Sequence, residues 1–275
     1  MPFIKSSQAN SEPVNIYYED LGKGRPIVFI HGWPLSGAMW EYQVTELTRQ
    51  GNRCIIYDRR GFGRSDKPFS GYDYNTMAAD LKALLDELDV EDATMIAFSM
   101  GGGEAAKYFT NYSNSHLSKL VLVSCVTPYM LKANDNPDGV PKEQFEQIND
   151  AIKNDRPGFM ENFAKDFYGV SLVNHPVSGA FLANNLTKVM EASPIATIEC
   201  AKSFAFTDFR DDMKNINVPT LIIHGDADKI VPIQATGEQS SRLIKGSSLI
   251  VYPGAAHGLW YTEREKLNKD LMKFI

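Results

Sequence analysis

The chain predicts an α/β fold, a mostly parallel sheet flanked by helices with one helical insertion. Apolar runs rich in β-branched residues recur without alternation, as strands buried on both faces of a parallel sheet do. Segments with apolar residues at helical spacing separate them, and alternating strand with helix builds such a sheet. The insertion shows as a gap: between about Thr127 and Lys214 the strand-like runs stop.

Taken in order, Val14-Asn15-Ile16-Tyr17-Tyr18-Glu19 alternates and is expected as a half-exposed antiparallel strand. Gly22-Lys23-Gly24 reads as the turn after it. The non-alternating runs are Pro26 to Ile30, Arg53 to Tyr57, Thr94 to Phe98, Lys119 to Val123, Thr220 to Ile223 and Ser248 to Tyr252. Between the second and third, Met77, Leu81, Leu84, Leu85 and Leu88 recur at helical spacing and predict an amphipathic crossover. Inside the insertion, Phe159 to Phe167 and Pro194 to Phe204 read as helices, the latter opened by Ser193-Pro194. Because strands resume afterwards, residues 1–126 and 215–275 are expected to form one core domain. Residues 127–214 would then be a helical cap over the C-terminal edge of its sheet. A chain of 275 residues, 43% hydrophobic, can bury one large core of that kind.

Composition narrows the function classes. A formal charge of −6 with no basic run argues against nucleic acid or an anionic membrane as partner. Met1-Pro2-Phe3-Ile4-Lys5-Ser6-Ser7 lacks the apolar run of a signal peptide, and no stretch approaches the ~20 apolar residues of a membrane span, so a cytoplasmic protein is expected. Cys54, Cys125 and Cys200 have no metal-type spacing and read as reduced thiols.

Ala97-Phe98-Ser99-Met100-Gly101 concentrates the chemistry. A serine between a buried strand and a glycine-rich helix sits on a sharp elbow with its hydroxyl exposed above the sheet edge. Ala97, Gly101 and Gly102 are small enough to let the backbone pass close to itself, and the helix opening after Ser99 aims free N–H groups at whatever bonds to the hydroxyl. Three further motifs end predicted strands: His31-Gly32-Trp33-Pro34, His224-Gly225-Asp226-Ala227-Asp228 and Gly254-Ala255-Ala256-His257-Gly258. Strand C-termini are where open α/β sheets place their sites. Serine needs a neighbouring base, which His257 would supply, and a carboxylate to hold the other ring nitrogen protonated. Asp226 and Asp228 compete for that place; Asp228 is preferred because it lies deeper in the loop, whereas Asp226 sits in the turn with Gly225. The chain order Ser, Asp, His is that of the α/β-hydrolases.

The remaining histidines carry no such pattern. His31 and His224 each end a strand before glycine and are expected to hydrogen-bond the loops they start; His116 and His175 lie in polar segments and are expected to be exposed. No pair is spaced for a metal, so none is expected. Gly61-Phe62-Gly63 lacks the lysine and hydroxyl of a phosphate loop and reads as structural. Pocket walls are expected to come largely from the insertion, where Tyr129, Met130, Phe159, Phe163 and Phe204 supply apolar surface, most of which would also serve as core of the cap.

Nearly the whole chain resembles the cofactor-free haloperoxidase, perhydrolase and arylesterase group of α/β-hydrolases. The resemblance rests on His31-Gly32-Trp33-Pro34-Leu35, Met39-Trp40-Glu41-Tyr42-Gln43, Asp58-Arg59-Arg60-Gly61-Phe62-Gly63-Arg64-Ser65, Phe98-Ser99-Met100-Gly101-Gly102-Gly103-Glu104 and Thr207-Asp208-Phe209-Arg210; Ala97 stands where the pattern has glycine. The resemblance implies a serine hydrolase with no haem, vanadium or flavin, acting on small carboxylic esters through an acyl-enzyme that water or hydrogen peroxide releases. It implies an oxyanion hole from the backbone N–H groups of Trp33 and Met100, a peroxide-positioning place for Pro34, and a homo-oligomer. A lactamase or amidase could use the same residues. A non-catalytic binding module on the same fold is the alternative from another class; such modules usually lose a triad member, and this chain retains all three.

Overall fold

The computed structural model describes residues 2–7 and 13–275; Met1 and residues 8–12, which belong to the expected core segment 1–126, lie outside the described residues. Among the described residues an eight-stranded sheet is built from β1 (Phe3–Ser6), β2 (Val14–Gly22), β3 (Arg25–Ile30), β4 (Asn52–Tyr57), β5 (Ala93–Phe98), β6 (Leu117–Val123), β7 (Thr220–Gly225) and β8 (Ser248–Tyr252). Their order across the sheet is β1-β2-β4-β3-β5-β6-β7-β8. The β1–β2 and β2–β4 pairs are antiparallel and the pairs from β4 to β8 are parallel.

Each predicted strand is present. Every residue of β5 and of β7 is buried, as the unbroken apolar runs require. β1 is absent from the prediction because four residues, Phe3-Ile4-Lys5-Ser6, are too few to show a period; pairing with β2 makes it a strand. β8 differs from its expected burial on both faces. It closes the sheet order, so Ser248 is exposed and Val251 is 39% exposed.

The helices include α1 (Glu41–Arg49), α2 (Tyr74–Glu87), α3 (Gly101–Tyr112), α4 (Lys142–Tyr168), α5 (Gly179–Met190) and α6 (Pro194–Phe206), with further ones after them. In α2 the Asp73 side chain accepts from Thr76 N–H at 3.0 Å, and Met77, Leu81, Leu84 and Leu85 are buried. α3 packs closely enough that a Cβ at Gly101 would lie 3.0 Å from the Ile30 carbonyl oxygen, and one at Gly102 2.5 Å from Cys125 Cβ. Glycine in these positions brings the helix start down onto the strand ends.

Helices α4, α5 and α6 all fall between β6 and β7. α4 is two helices merged across a kink at Asp155 (φ −151°, ψ 84°), two residues before Pro157. Asp155 Oδ1 accepts from Gly158 N–H at 3.0 Å and so starts the second half, which holds the predicted Phe159–Phe167 stretch. In α6 Ser193 accepts from Ala196 N–H, and Pro194 occupies the first turn, as the sequence pattern anticipates. No helix among the described residues is long and apolar enough to cross a membrane.

Candidate active site

Ser99 follows the last residue of β5 and precedes α3, with a φ of +54°. That left-handed conformation is uncommon outside glycine and costs of order 1–3 kcal/mol, so surrounding contacts have to hold it. They do. Ser99 N–H donates to the Val123 carbonyl at 3.0 Å, and its own carbonyl accepts from Val126 N–H at 3.2 Å and Gly102 N–H at 3.1 Å. The next strand and the first helical turn therefore pin the residue from both sides. Ala97, beneath the turn, is fully buried, and its carbonyl accepts from the Cys125 thiol at 3.3 Å.

The loop after β8 brings His257 Nε2 to 2.9 Å from Ser99 Oγ, and the loop after β7 brings Asp228 Oδ2 to 2.7 Å from His257 Nδ1. Asp228 Oδ1 accepts from Ile230 N–H at 2.9 Å and Val231 N–H at 2.8 Å. A carboxylate takes only hydrogen bonds in which it is acceptor, so His257 carries its proton on Nδ1 and presents Nε2 as acceptor to the Ser99 hydroxyl. Burial alone would push the Asp228 carboxyl up; the His257 imidazole and its hydrogen bond, with the His224 imidazole beside them, outweigh it and hold the group below the usual carboxylate range. Ser99 is 5% and His257 1% exposed. Rings of Phe98 and Phe167 lie against the imidazole, at centroid distances of 4.9 and 4.7 Å.

Asp226, the competing acid, is elsewhere. Its Oδ1 accepts from Gly254 N–H at 2.6 Å on the exposed side of the loop, tying the two loop ends together.

The His31–Pro34 loop abuts the elbow: a Cβ at Gly32 would lie 2.9 Å from Ser99 Cβ. Arg59 N–H donates to His31 Nε2 at 2.9 Å, which leaves the ring proton on Nδ1 to donate to the Gly32 carbonyl at 2.9 Å. Burial, reinforced by the Arg59 charge, pushes this imidazole well below its ordinary range. Leu35 N–H also donates to the Gly32 carbonyl, at 3.0 Å. One peptide plane contains the Gly32 carbonyl and the Trp33 N–H, pointing opposite ways, so two donors on the carbonyl set the direction of that N–H. Among the described residues neither Trp33 N–H nor Met100 N–H donates to a backbone carbonyl outside the regular elements. The Trp33 ring is anchored by its Nε1–H on the Thr197 carbonyl at 2.9 Å and stands edge to face with Phe163 and Phe204. The Trp33–Pro34 peptide is cis. Pro34 borders a very small cleft beside Leu35, Phe163 and Phe167.

Ser99, His257 and Trp33 share a cavity of about 330 Å³. Met130, Phe159, Phe163 and Phe204 line it, so four of the five residues noted in the insertion lie on its wall; Met130 is also buried in the core, and the three phenylalanine rings are half-buried against it. Tyr129 does not; its ring lies under the Arg210 guanidinium, 5.1 Å from centroid to carbon. Asn162 and Asp166 on the wall escape the sequence reading, although 159, 162, 163 and 166 form one helical face that marks them. Lys229, Ile230 and Val231 join from the loop after Asp228, where no periodicity exists to signal direction.

His116 differs from its expected exposure: Nδ1 meets the Val90 carbonyl at 2.7 Å and Nε2 meets Asp86 at 3.0 Å, leaving the ring mostly covered. His175 is exposed. The three cysteines are free and buried; burial pushes the Cys200 thiol up to about 12 and Cys125 further, so neither offers a thiolate at neutral pH. Asp58 Oδ1 and Oδ2 accept from Gly37 N–H and Arg64 N–H, both at 2.8 Å, and a Cβ at Gly63 would strike that carboxylate, which makes Gly61-Phe62-Gly63 a turn wrapped on a buried acid.

A sharp strand–serine–helix turn, with the acid and the histidine delivered by later strand ends, defines a hydrolase built on an open α/β sheet. The chain belongs to the α/β-hydrolase family, whose model, described as the alpha/beta hydrolase fold, matches residues 25–263. It is 45% identical over 276 residues to a putative non-heme chloroperoxidase of Synechocystis, with all of both chains covered. It is 39% identical over 265 residues to a bifunctional esterase/perhydrolase of Acinetobacter calcoaceticus, covering 95% of this chain and 96% of that one. A crystal structure of bromoperoxidase from Bacillus anthracis superposes with a TM-score of 0.94 at 41% identity, covering 99% of each chain.

Proposed function

We propose that this protein is a serine esterase that works through an acyl-enzyme and can pass the acyl group to water or to hydrogen peroxide. The observation that carries the reading is the unbroken chain Ser99 Oγ–His257 Nε2 and His257 Nδ1–Asp228 Oδ2, at 2.9 and 2.7 Å, opening on an apolar cavity. Ser99 Oγ attacks the ester carbonyl while its proton passes to His257 Nε2. The carbonyl oxygen becomes an oxyanion facing the Trp33 and Met100 N–H groups, a pair whose single members are typically worth about 3–4 kcal/mol to the transition state. Collapse breaks the ester bond, and His257 returns the proton to the departing alcohol. Water then repeats the sequence to give a carboxylic acid; hydrogen peroxide in its place gives a peracid, which oxidises halide in solution to hypohalous acid as it reverts to carboxylic acid. In this reading residues 127–214 cap a core of 1–126 and 215–275, and the aromatic wall they supply favours esters with apolar acyl or aryl groups. The reading also takes in a cytoplasmic enzyme and, on the resemblance, a homo-oligomer.

A fluorophosphonate probe tests the reading. Stoichiometric labelling, mapped to Ser99 by mass spectrometry, is expected. A folded chain that takes up no probe would instead be a binding module on a hydrolase fold.

Pro34 is proposed to favour peroxide. Proline restricts its own φ and the conformation of the residue before it, here the oxyanion donor Trp33. Its carbonyl would then accept a hydrogen bond from hydrogen peroxide beside acylated Ser99. With an acetyl ester at fixed hydrogen peroxide, Pro34→Leu is expected to lower the ratio of peracetic acid to acetate. An unchanged ratio in an active variant would leave Pro34 as a loop stiffener only.

A further inference from the structure

Asp228 has a second imidazole against it. His224, in β7, is fully buried, and its Nε2 lies 2.9 Å from the Val231 carbonyl oxygen and 3.3 Å from Asp228 Oδ2. Both facing atoms can only accept, so Nε2 carries the ring proton; its hydrogen bond goes to the Val231 carbonyl, with Asp228 Oδ2 close beside that N–H. Nδ1 is buried without a hydrogen-bond partner. It faces the start of the helix Gly237–Leu243, where a Cβ at Gly237 would come within 2.8 Å of it; glycine there makes room for the ring.

Oδ2 is also the oxygen that His257 Nδ1 holds at 2.7 Å. Two imidazoles therefore converge on one carboxylate oxygen while the Ile230 and Val231 N–H groups occupy the other. Val231 appears twice in this ring of contacts: its N–H holds Oδ1 and its carbonyl holds His224. We propose that His224 is a positioning residue for the proton relay, its Nε2–H bracing the Asp228 loop and carboxylate so that Oδ2 stays on His257. The inference deepens the proposed function and rests on the Ser99–His257–Asp228 relay.

A brace made by a hydrogen bond differs from one made by packing. The titratable side chains facing Asp228 are His224 and His257, and Ser99 faces His257; Asp226 on the same loop is turned to Gly254 N–H, and Asp166 and Lys229 lie on the cavity wall. Removing the His224 donor leaves more of the negative charge on Oδ2 to the imidazolium of His257, which favours the protonated, inactive base.

The experiment measures kcat and kcat/KM against pH with p-nitrophenyl acetate for the wild type, His224→Leu, His224→Gln and Asp228→Asn. His224→Leu is expected to lose about tenfold in kcat/KM at neutral pH, the scale of one hydrogen bond to a charged group. Its acid limb should move to higher pH. His224→Gln, whose amide nitrogen reaches the place of Nε2, should recover most of the rate and return the limb. A His224→Leu enzyme with wild-type rate and limb overturns the proposal, and so does a His224→Gln enzyme as impaired as the leucine variant. If the leucine variant does not fold by circular dichroism, His224→Asn, whose amide is too short to reach Oδ2, takes its place in the same comparison. A fully active Asp228→Asn enzyme would sink the relay itself; a crippled one beside a normal His224→Leu enzyme would sink only the role of His224.

Discussion

Ser99→Ala is expected to lose at least ~10⁴-fold in p-nitrophenyl acetate turnover, with the fold intact by circular dichroism, and His257→Ala to lose as much. The size follows from how the three groups work. In the proposed reaction Ser99 Oγ is the atom that bonds to the acyl carbon, and His257 Nε2, 2.9 Å away, is the acceptor for its proton. On that proposal, removing either leaves only the N–H groups of Trp33 and Met100 and the cavity, which bind but do not form the acyl-enzyme. The fold should survive because the elbow is held by backbone bonds from Val123, Val126 and Gly102, none of which uses the hydroxyl. A folded Ser99→Ala protein that keeps a tenth of its activity would mean that another residue carries the chemistry.

Asp228→Asn should be almost as damaging, of the order of 10⁴-fold, the scale known for a triad aspartate made into asparagine. Here the reason can be followed atom by atom. Two N–H groups, of Ile230 and Val231, face Oδ1, so the amide oxygen of asparagine takes that place. Its NH2 then replaces Oδ2 and points donors at His257 Nδ1 and His224 Nε2, both of which already carry hydrogen. His257 resolves the conflict by moving its proton to Nε2, and the base then faces Ser99 with a donor. Asp226→Asn makes the useful contrast. Its oxygen accepts one bond from Gly254 N–H, which an amide oxygen accepts as well, so turnover should change little. Steady-state kinetics on both variants decide the matter, and a larger kinetic loss at Asp226 in folded protein would reverse the assignment.

Those two aspartates could be ranked from the sequence, which prefers Asp228 for its place in the loop, but the contacts each makes could not be read there. Two residues apart on one loop, they are chemically identical, and only the loop's path sends one under His257 and the other to Gly254. The same holds for His31 and His224. Each ends a strand before glycine, a pattern that predicts a hydrogen bond to its own loop. His31 is that, through Gly32 and Arg59. His224 also meets Asp228, four residues on, because the loop folds back over the ring. Tyr129 and Met130 part in a similar way: adjacent and both apolar, one lies under Arg210 and the other faces the cavity.

Local chemistry alone determined the class of fold and the four loops that meet at its centre. Unbroken β-branched runs have to be buried on both faces, helical spacing between them has to cover those faces, and a serine between strand and glycine-rich helix has to sit on an elbow. Each of these constraints acts within about ten residues, so each is legible in the chain. Tertiary packing decided which carboxylate faces the base, which aromatic rings wall the cavity, and that a second imidazole shares Asp228. These depend on the directions of side chains brought together from positions 29 to 158 residues apart, such as Asp228 and His257 or Ser99 and His257. A direction in space is set by the backbone that all the packed elements impose together, and no local period in the sequence encodes it.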